Sequence, residues 1–299
     1  MKLTKALSLR ITELNQPVIT HYQFAIILHH LYITKSFRGE KILSIKRDYA
    51  NARSVTETLN NLQDDGILEP FRGFPKQSVF SILGRADAPP SEVACSVDPF
   101  CYLSHLSAME HHGLTNRIPS KLFLSSPGKN LWKQFAYKRM EKDLKESLPI
   151  YNINKLPELR KIRMEKIRKT AVHRHNSIHL GAYKNIRGKN LRISTIGRTF
   201  LEMLKEPELC GGMPHVLDVF DEHAERYLKL IVDEIDSHGA PIDKVRAGYI
   251  LDERIGLNNP DIEKWIIYAQ RGGSRKLDAT NEYIPEFSEK WCLSLNIFT

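Results

Sequence analysis

LNNLQDDGILEPFRGFPKQSVFSIL, residues 59–83, decides how the first part of the chain reads. Leu59 and Leu62 continue a helical spacing that includes Val55, and the pattern stops at Asp65-Gly66. Glycine at that point suits a helix C′ position, whose left-handed backbone costs a residue without Cβ little. Two short apolar runs follow, 67–71 and 78–83, separated by a loop with Arg72, Gly73, Pro75 and Lys76. Runs of that length around such a loop predict a β-hairpin with a basic tip.

Upstream, PVITHYQFAIILHHLYI (17–33) opens on Pro17 and Thr20 and carries apolar residues at three-to-four spacing, which predicts a helix over the whole stretch. A second helix is predicted from about 49 to 64, while 40–47 fits a short helix or a strand. Helix, connector, helix, glycine, hairpin is the order of a winged helix-turn-helix. There the second helix reads the major groove and the hairpin reaches phosphates or the neighbouring minor groove. The expected DNA contacts are then Asn51, Arg53, Ser54, Thr56 and Asn60, which share an exposed face with Glu57. Arg47 lies just before them, and Arg72, Lys76 and Gln77 lie at the wing. The plainer reading is a small α/β domain with a polar outer face, or a wing that binds protein.

ADAPPSE (86–92) is polar and proline-rich and reads as a linker. The expected organisation is α+β: a DNA-binding domain at 1–85, the linker, and a larger mixed α/β domain at 93–299, mostly helical at its end. In that second part, helices are expected at 102–114 (ended by Gly113), 131–148, 196–205, 213–222, 224–237, 241–255 and 261–270. Strands are expected at 122–126, 178–183 and 191–194, and the tail 284–298 shows no period.

Apolar residues are 41% and charged residues 26% of 299, the balance of a globular chain too long for one small core. No apolar run of membrane-spanning length occurs, and the first residues lack the apolar core of a signal peptide. Cys95, Cys101, Cys210 and Cys292 form no C-x-x-C pair and are expected as reduced, buried thiols of a cytoplasmic protein. The net charge of +9 is unevenly spread: residues 155–192 hold twelve basic and two acidic side chains, residues 193–299 twelve and nineteen. Arg160, Lys161, Arg163, Lys166, Arg168, Lys169, Arg174, Arg187 and Lys189 are therefore expected to form a second basic surface for a polyanion. A merely solvated basic stretch is the alternative.

Catalytic signals are weak. No G-x-x-x-x-G-K-[ST], G-x-G-x-x-G or G-x-S-x-G motif is present. His173, His175 and His179 have no cysteine or carboxylate cluster beside them, and His105, His111 and His112 read as packing or capping residues. Asp218, Asp221, Glu222 and Glu225 recur on successive helical turns, as a solvated acidic face does. Ser194 and Thr195 read as helix N-caps. No catalytic residue, metal or cofactor is expected.

Two stretches carry a resemblance. YLSHLSAMEHHGLTNRIPSKLFLSS (102–126) and, more specifically, LRISTIGRTFLEMLKEPELCGGMPHVLDVF (191–220) resemble the C-terminal domain of AbiEi-type antitoxins of type IV toxin–antitoxin systems. The second shows a strand, a Ser/Thr helix start, a helical TFLEML, then a proline and Gly-Gly before the next helix. That family also has a winged-helix N-terminal domain. The resemblance implies a repressor that binds inverted repeats of double-stranded DNA in its own promoter, two protomers on one operator. It also implies an antitoxin that counters a nucleotidyltransferase-like toxin without a stable complex. The family's DNA contacts would fall on 47–60 and 72–77 here, although the connector 34–48 is longer than that of a compact helix-turn-helix. A protein-interaction adaptor and a metal-dependent nuclease using Asp218, Asp221, Glu222 and Glu225 are the competing readings.

Overall fold

The computed structural model describes residues 1–177, 181–270 and 275–297. In chain order its elements are α1 (Leu3–Thr12), β1 (Val18–Thr20), α2 (His21–Thr34), β2 (Ser36–Phe37), β3 (Glu40–Lys41), α3 (Ala52–Asp64), β4 (Leu68–Pro70) and β5 (Val79–Ile82). There follow α4 (Pro90–Val97), β6 (Tyr102–Leu103), α5 (His105–His111), β7 (Lys121–Pro127), α6 (Lys129–Leu144), α7 (Leu148–Ile153), β8 (Lys166–Ile167), β9 (Thr170–Ser177) and β10 (Tyr183–Asn185). The last are β11 (Arg192–Ser194), α8 (Ile196–Lys205), α9 (Met213–His238), α10 (Pro241–Gly248), α11 (Pro260–Glu263), β12 (Phe287–Ser288) and β13 (Leu293–Ser294). Helices and strands are mixed without regular alternation, so the chain is α+β.

The chain divides into two compact units that interleave along the sequence. The first is Met1–Cys101, Ser126–Ile178 and Asn185–Arg192, and the second is Tyr102–Ser125, His179–Lys184 and Ile193–Thr299. This differs from a division at 86–92, for a physical reason. The buried stripe Trp132, Ala136, Met140 and Leu144 of α6, with Tyr151 of α7, joins the same apolar core as α1, α2 and α3. The expected linker is also partly helical: Pro90 opens α4, since proline at the first helical position gives up an N–H that has no partner there anyway.

Within the first unit the N-terminal hundred residues follow from local rules. Val18–Thr20, expected as the start of a helix, is a strand. Its β-branched residues pair antiparallel with β5, Ile19 opposite Phe80. Thr20 then caps α2. Its Oγ1 accepts the Gln23 N–H at 3.2 Å, and Gln23 Oε1 accepts the Thr20 N–H at 2.8 Å. The long connector 34–48 is taken up by the β2–β3 ribbon, whose turn residues Arg38 and Gly39 both have positive φ, 49° and 82°. Asn51 and Ser54 make a second capping box at the start of α3. Its apolar stripe Val55, Leu59 and Leu62 is buried as expected.

Gly66, at φ 67°, closes α3: its N–H donates to the Gln63 carbonyl and the Ile67 N–H to the Leu62 carbonyl, both at 2.9 Å. These are the two bonds of a Schellman end. β4 and β5 then form the expected antiparallel hairpin, with Leu68 opposite Ile82 and Pro70 opposite Phe80.

In the second unit β6 pairs antiparallel with β7 and parallel with β11. Thr195 caps α8 by accepting the Arg198 N–H, and α8 packs along α9. Two expectations are corrected here. The helix expected at 102–114 begins only at His105, after strand β6. The helices expected at 213–222 and 224–237 are one continuous helix, α9. The expected strand 178–183 falls partly outside the described residues.

Candidate nucleic-acid interface

Of the sequence-predicted contacts, Thr56 of α3 and Lys76 and Gln77 of the β4–β5 loop line one cavity, and the others are spread over α3, the segment before it and the hairpin loop. Arg53, Thr56 and Asn60 are exposed on α3, Arg47 on the segment before it, and Arg72, Lys76 and Gln77 on the hairpin loop. The backbone has already engaged several of them. Asn51 Oδ1 accepts the Ser54 N–H at 2.9 Å and Ser54 Oγ accepts the Asn51 N–H at 2.8 Å, so both residues hold the helix start. Thr56 Oγ1 donates to the Ala52 carbonyl at 3.1 Å. Arg53 Nε lies 2.6 Å from Glu57 Oε1, one turn on, and this bond raises the arginine's pKa further. Arg53 is still 84% exposed, so this exposed pair is weak and the guanidinium stays accessible.

The hairpin loop is braced from within. Gln77 has φ 57°, Ser78 Oγ donates to the Pro75 carbonyl at 2.6 Å, and Phe71 and Phe74 meet edge-to-face with centroids 5.6 Å apart. Behind it stands the β8–β9 hairpin of the basic segment. Arg168 lies over the Phe71 ring, 5.7 Å from its centroid, and donates to the carbonyls of Ala86 and, at 2.8 Å, Ala88.

A cavity of about 520 Å³ opens beside α3. Its walls include Ala52, Val55 and Thr56 of α3 and Lys76, Gln77 and Ser78 of the hairpin loop. Lys155, Arg160 and its partner Glu158, from the irregular segment after α7, also line it. Lys155 was not among the residues singled out from sequence. Its basic neighbours gave the only signal, and periodicity cannot rank members of a charge run.

The basic segment 155–192 is not one open surface, which corrects the expectation of nine residues acting together. Arg160, Arg163, Lys166, Lys169, Arg187 and Lys189 are exposed, with Arg160 3.3 Å from Glu158 and Arg163 paired to Glu165. Arg168 buttresses the hairpin loop, as above. Lys161 donates to the Pro127 carbonyl at 2.7 Å, and burial, then Arg174, push its pKa below the ordinary value. Arg174 reaches the Ile162 carbonyl at 3.3 Å and lies 3.7 Å from the buried carboxylate of Asp98. Arg192 donates to three carbonyls, those of Cys95, Asp98 and Cys101.

The residues weighed for catalysis are dispersed. Asp218, Asp221, Glu222 and Glu225 are exposed on α9, and Asp221 is held by Arg254 at 2.8 Å. His105 is buried with Nδ1 2.8 Å from Ser104 Oγ, and His112 Nε2 lies 2.8 Å from the Ser194 carbonyl oxygen. Among the described residues no group of three His, Cys, Asp or Glu side chains could hold a metal ion. His179 lies outside the described residues. All four cysteines are free thiols, with Cys95, Cys101 and Cys210 buried. Among the described residues no helix is long and apolar enough to cross a membrane.

No protein-family model matches the chain, and no curated protein matches it. Among solved structures it is similar to the crystal structure of the RV2827C protein from Mycobacterium tuberculosis. The two share 11% identity over 98% of this chain and 89% of that one, with a TM-score of 0.47.

Proposed function

We propose that this protein is a DNA-binding repressor of its own operon and an AbiEi-type antitoxin. In this reading α2, α3 and the β4–β5 hairpin form a winged helix-turn-helix, with α3 the reading helix and the hairpin loop the wing. The observation that carries it is the sequence of a capped, polar-faced helix, a Schellman glycine and a hairpin whose loop residue Lys76 lines the same cavity as α3. In this reading a duplex laid across the exposed face of α3 would meet Arg53, Thr56 and Asn60 at base edges and Lys76 at a phosphate. Lys155 and Arg160 supply further cations on the far wall of that cavity. The antitoxin half of the reading rests on the resemblance of 102–126 and 191–220, and its functional partner is a nucleotidyltransferase-like toxin.

Fluorescence anisotropy of the full chain on its own upstream DNA and on a scrambled duplex, at low and near-physiological salt, tests the first half. Tight binding to the native sequence that survives physiological salt is the expected result. Arg53→Ala should relax base preference by roughly tenfold, about 1–3 kcal/mol per base contact. Lys76→Ala should weaken binding to every sequence and lower the salt slope by about one. Equal, salt-labile binding to both duplexes, unchanged in these variants, would return the adaptor reading to the front. Rescue of growth on co-expression with a nucleotidyltransferase-like toxin, if one is encoded beside this gene, tests the second half.

A further inference from the structure

HYQFAIILHHLYIT, the sequence of α2, is apolar on nearly every side. A helix of that kind is normally enclosed all round. In this unit it is not. Phe24, Ala25 and Leu28 are fully buried, but Ile26 and Ile27 are only half-buried and line a cavity of about 610 Å³. That volume suits a small organic molecule.

The other lining groups give the cavity a sign. Arg10 from α1 and Arg38 from the β2–β3 turn both reach Glu13, at 3.0 and 2.6 Å, two guanidiniums on one carboxylate. Arg139 of α6 spends its Nε on both oxygens of Asp143, at 2.8 and 3.0 Å. Among the described residues its two terminal nitrogens meet no acceptor, and the side chain stays 49% exposed. Three guanidiniums against two carboxylates leave a positive excess beside an apolar floor.

We propose that this cavity binds a small amphipathic organic anion, with its apolar body on Ile26 and Ile27 and its carboxylate or phosphate head on the arginines. A neutral apolar ligand would desolvate the guanidiniums without pairing them, and a cation would add repulsion, so both are disfavoured. The concavity fits a small molecule better than a flat protein face.

Isothermal titration calorimetry of the full chain with sodium dodecanoate tests this, with dodecyltrimethylammonium as a cation carrying the same tail. The expected result is saturable binding of one dodecanoate per chain and no binding of the ammonium. Ile27→Asp should weaken dodecanoate at least tenfold. So should the double variant Arg38→Ala/Arg139→Ala, whose changes fall on exposed side chains and spare the core. Leu83→Asp, at an exposed leucine outside the cavity, should bind like the parent. The proposal is overturned by absence of saturable heat, by equal binding of the ammonium, or by unchanged affinity in the double variant. It is also overturned if an acidic amphipathic Leu/Glu helix peptide binds and dodecanoate does not, which would assign the groove to a protein partner.

Discussion

Asp98 is 2% exposed and accepts from Ser126 Oγ at 2.8 Å, Trp132 Nε1 at 2.9 Å and the Phe100 N–H at 3.0 Å, with Arg174 at 3.7 Å. A buried carboxylate persists only when so paired, and removing it strands several donors and a cation. Asp98→Ala should therefore cost about 3–5 kcal/mol in urea unfolding. A loss below about 1 kcal/mol would show the donors satisfied elsewhere. Nothing in the sequence marks Asp98, because its partners lie 28, 34 and 76 positions away.

His29 is the second buried polar residue with a testable consequence. It is 0% exposed, stands edge-on to Tyr151 at 5.2 Å, and neither ring nitrogen has a hydrogen-bond partner. Burial, helped by the nearby His30, pushes its pKa down to about 4. The unfolded chain thus takes up a proton near pH 6.5 that the folded chain refuses until about pH 4. Stability from this group is complete above the higher value and drains away as pH falls between the two. From pH 7 to 5 the parent should lose about 2 kcal/mol through His29, and His29→Leu should remove that part of the slope. A parent and variant with the same pH dependence would contradict it.

At the scale of elements, α8 and α9 approach through Gly197. A Cβ there would overlap the Leu230 carbonyl oxygen and sit 2.9 Å from Glu234 Cβ. The close approach also lets Arg198 Nη2 lie 2.7 Å from Glu234, a largely buried ion pair. Gly197→Ala should force the helices apart at about 1–3 kcal/mol and lower the melting temperature by several degrees. A melt indistinguishable from the parent's would mean the helix pair adjusts freely. The helix 196–205 itself was legible from Thr195 and its apolar spacing, whereas the need for glycine at its second position was not. α1 was legible only in retrospect: Leu3, Ala6, Leu7 and Ile11 fall at helical spacing, but charged and hydroxyl residues interrupt them. The β1 strand was misread because Pro17 and Thr20 are helix-start signals, and pairing with β5 sets Val18 and Ile19 extended before Thr20 caps the helix.

On the scale of the whole molecule, interleaving of the two units has a direct consequence. A fragment ending at residue 85 lacks Trp132, Ala136, Met140, Leu144 and Tyr151, all buried in the core around α1–α3. Their burial contributes on the order of 10 kcal/mol, comparable to the entire stability of a domain. Fragment 1–85 should lack a cooperative thermal transition and near-ultraviolet circular dichroism. A sharp melt close to that of the full chain would show that the N-terminal elements form an independent domain. DNA-binding measurements on such a fragment would therefore speak to folding before they spoke to recognition.

By itself the sequence determined what short-range chemistry determines. The caps at Thr20, Asn51 and Thr195, the Schellman end at Gly66, the hairpin after it and the buried stripe of α3 follow from residues within a turn or two of each other. Tertiary structure decided what depends on distant partners. It drew α6 and α7 into the core of the first unit. It turned Lys161, Arg174 and Arg192 from members of a charge run into internal donors around Asp98 and its neighbours, and it set Lys155 and Arg160 across a cavity from α3. Charge and periodicity are properties of a segment, whereas burial and pairing belong to contacts between segments.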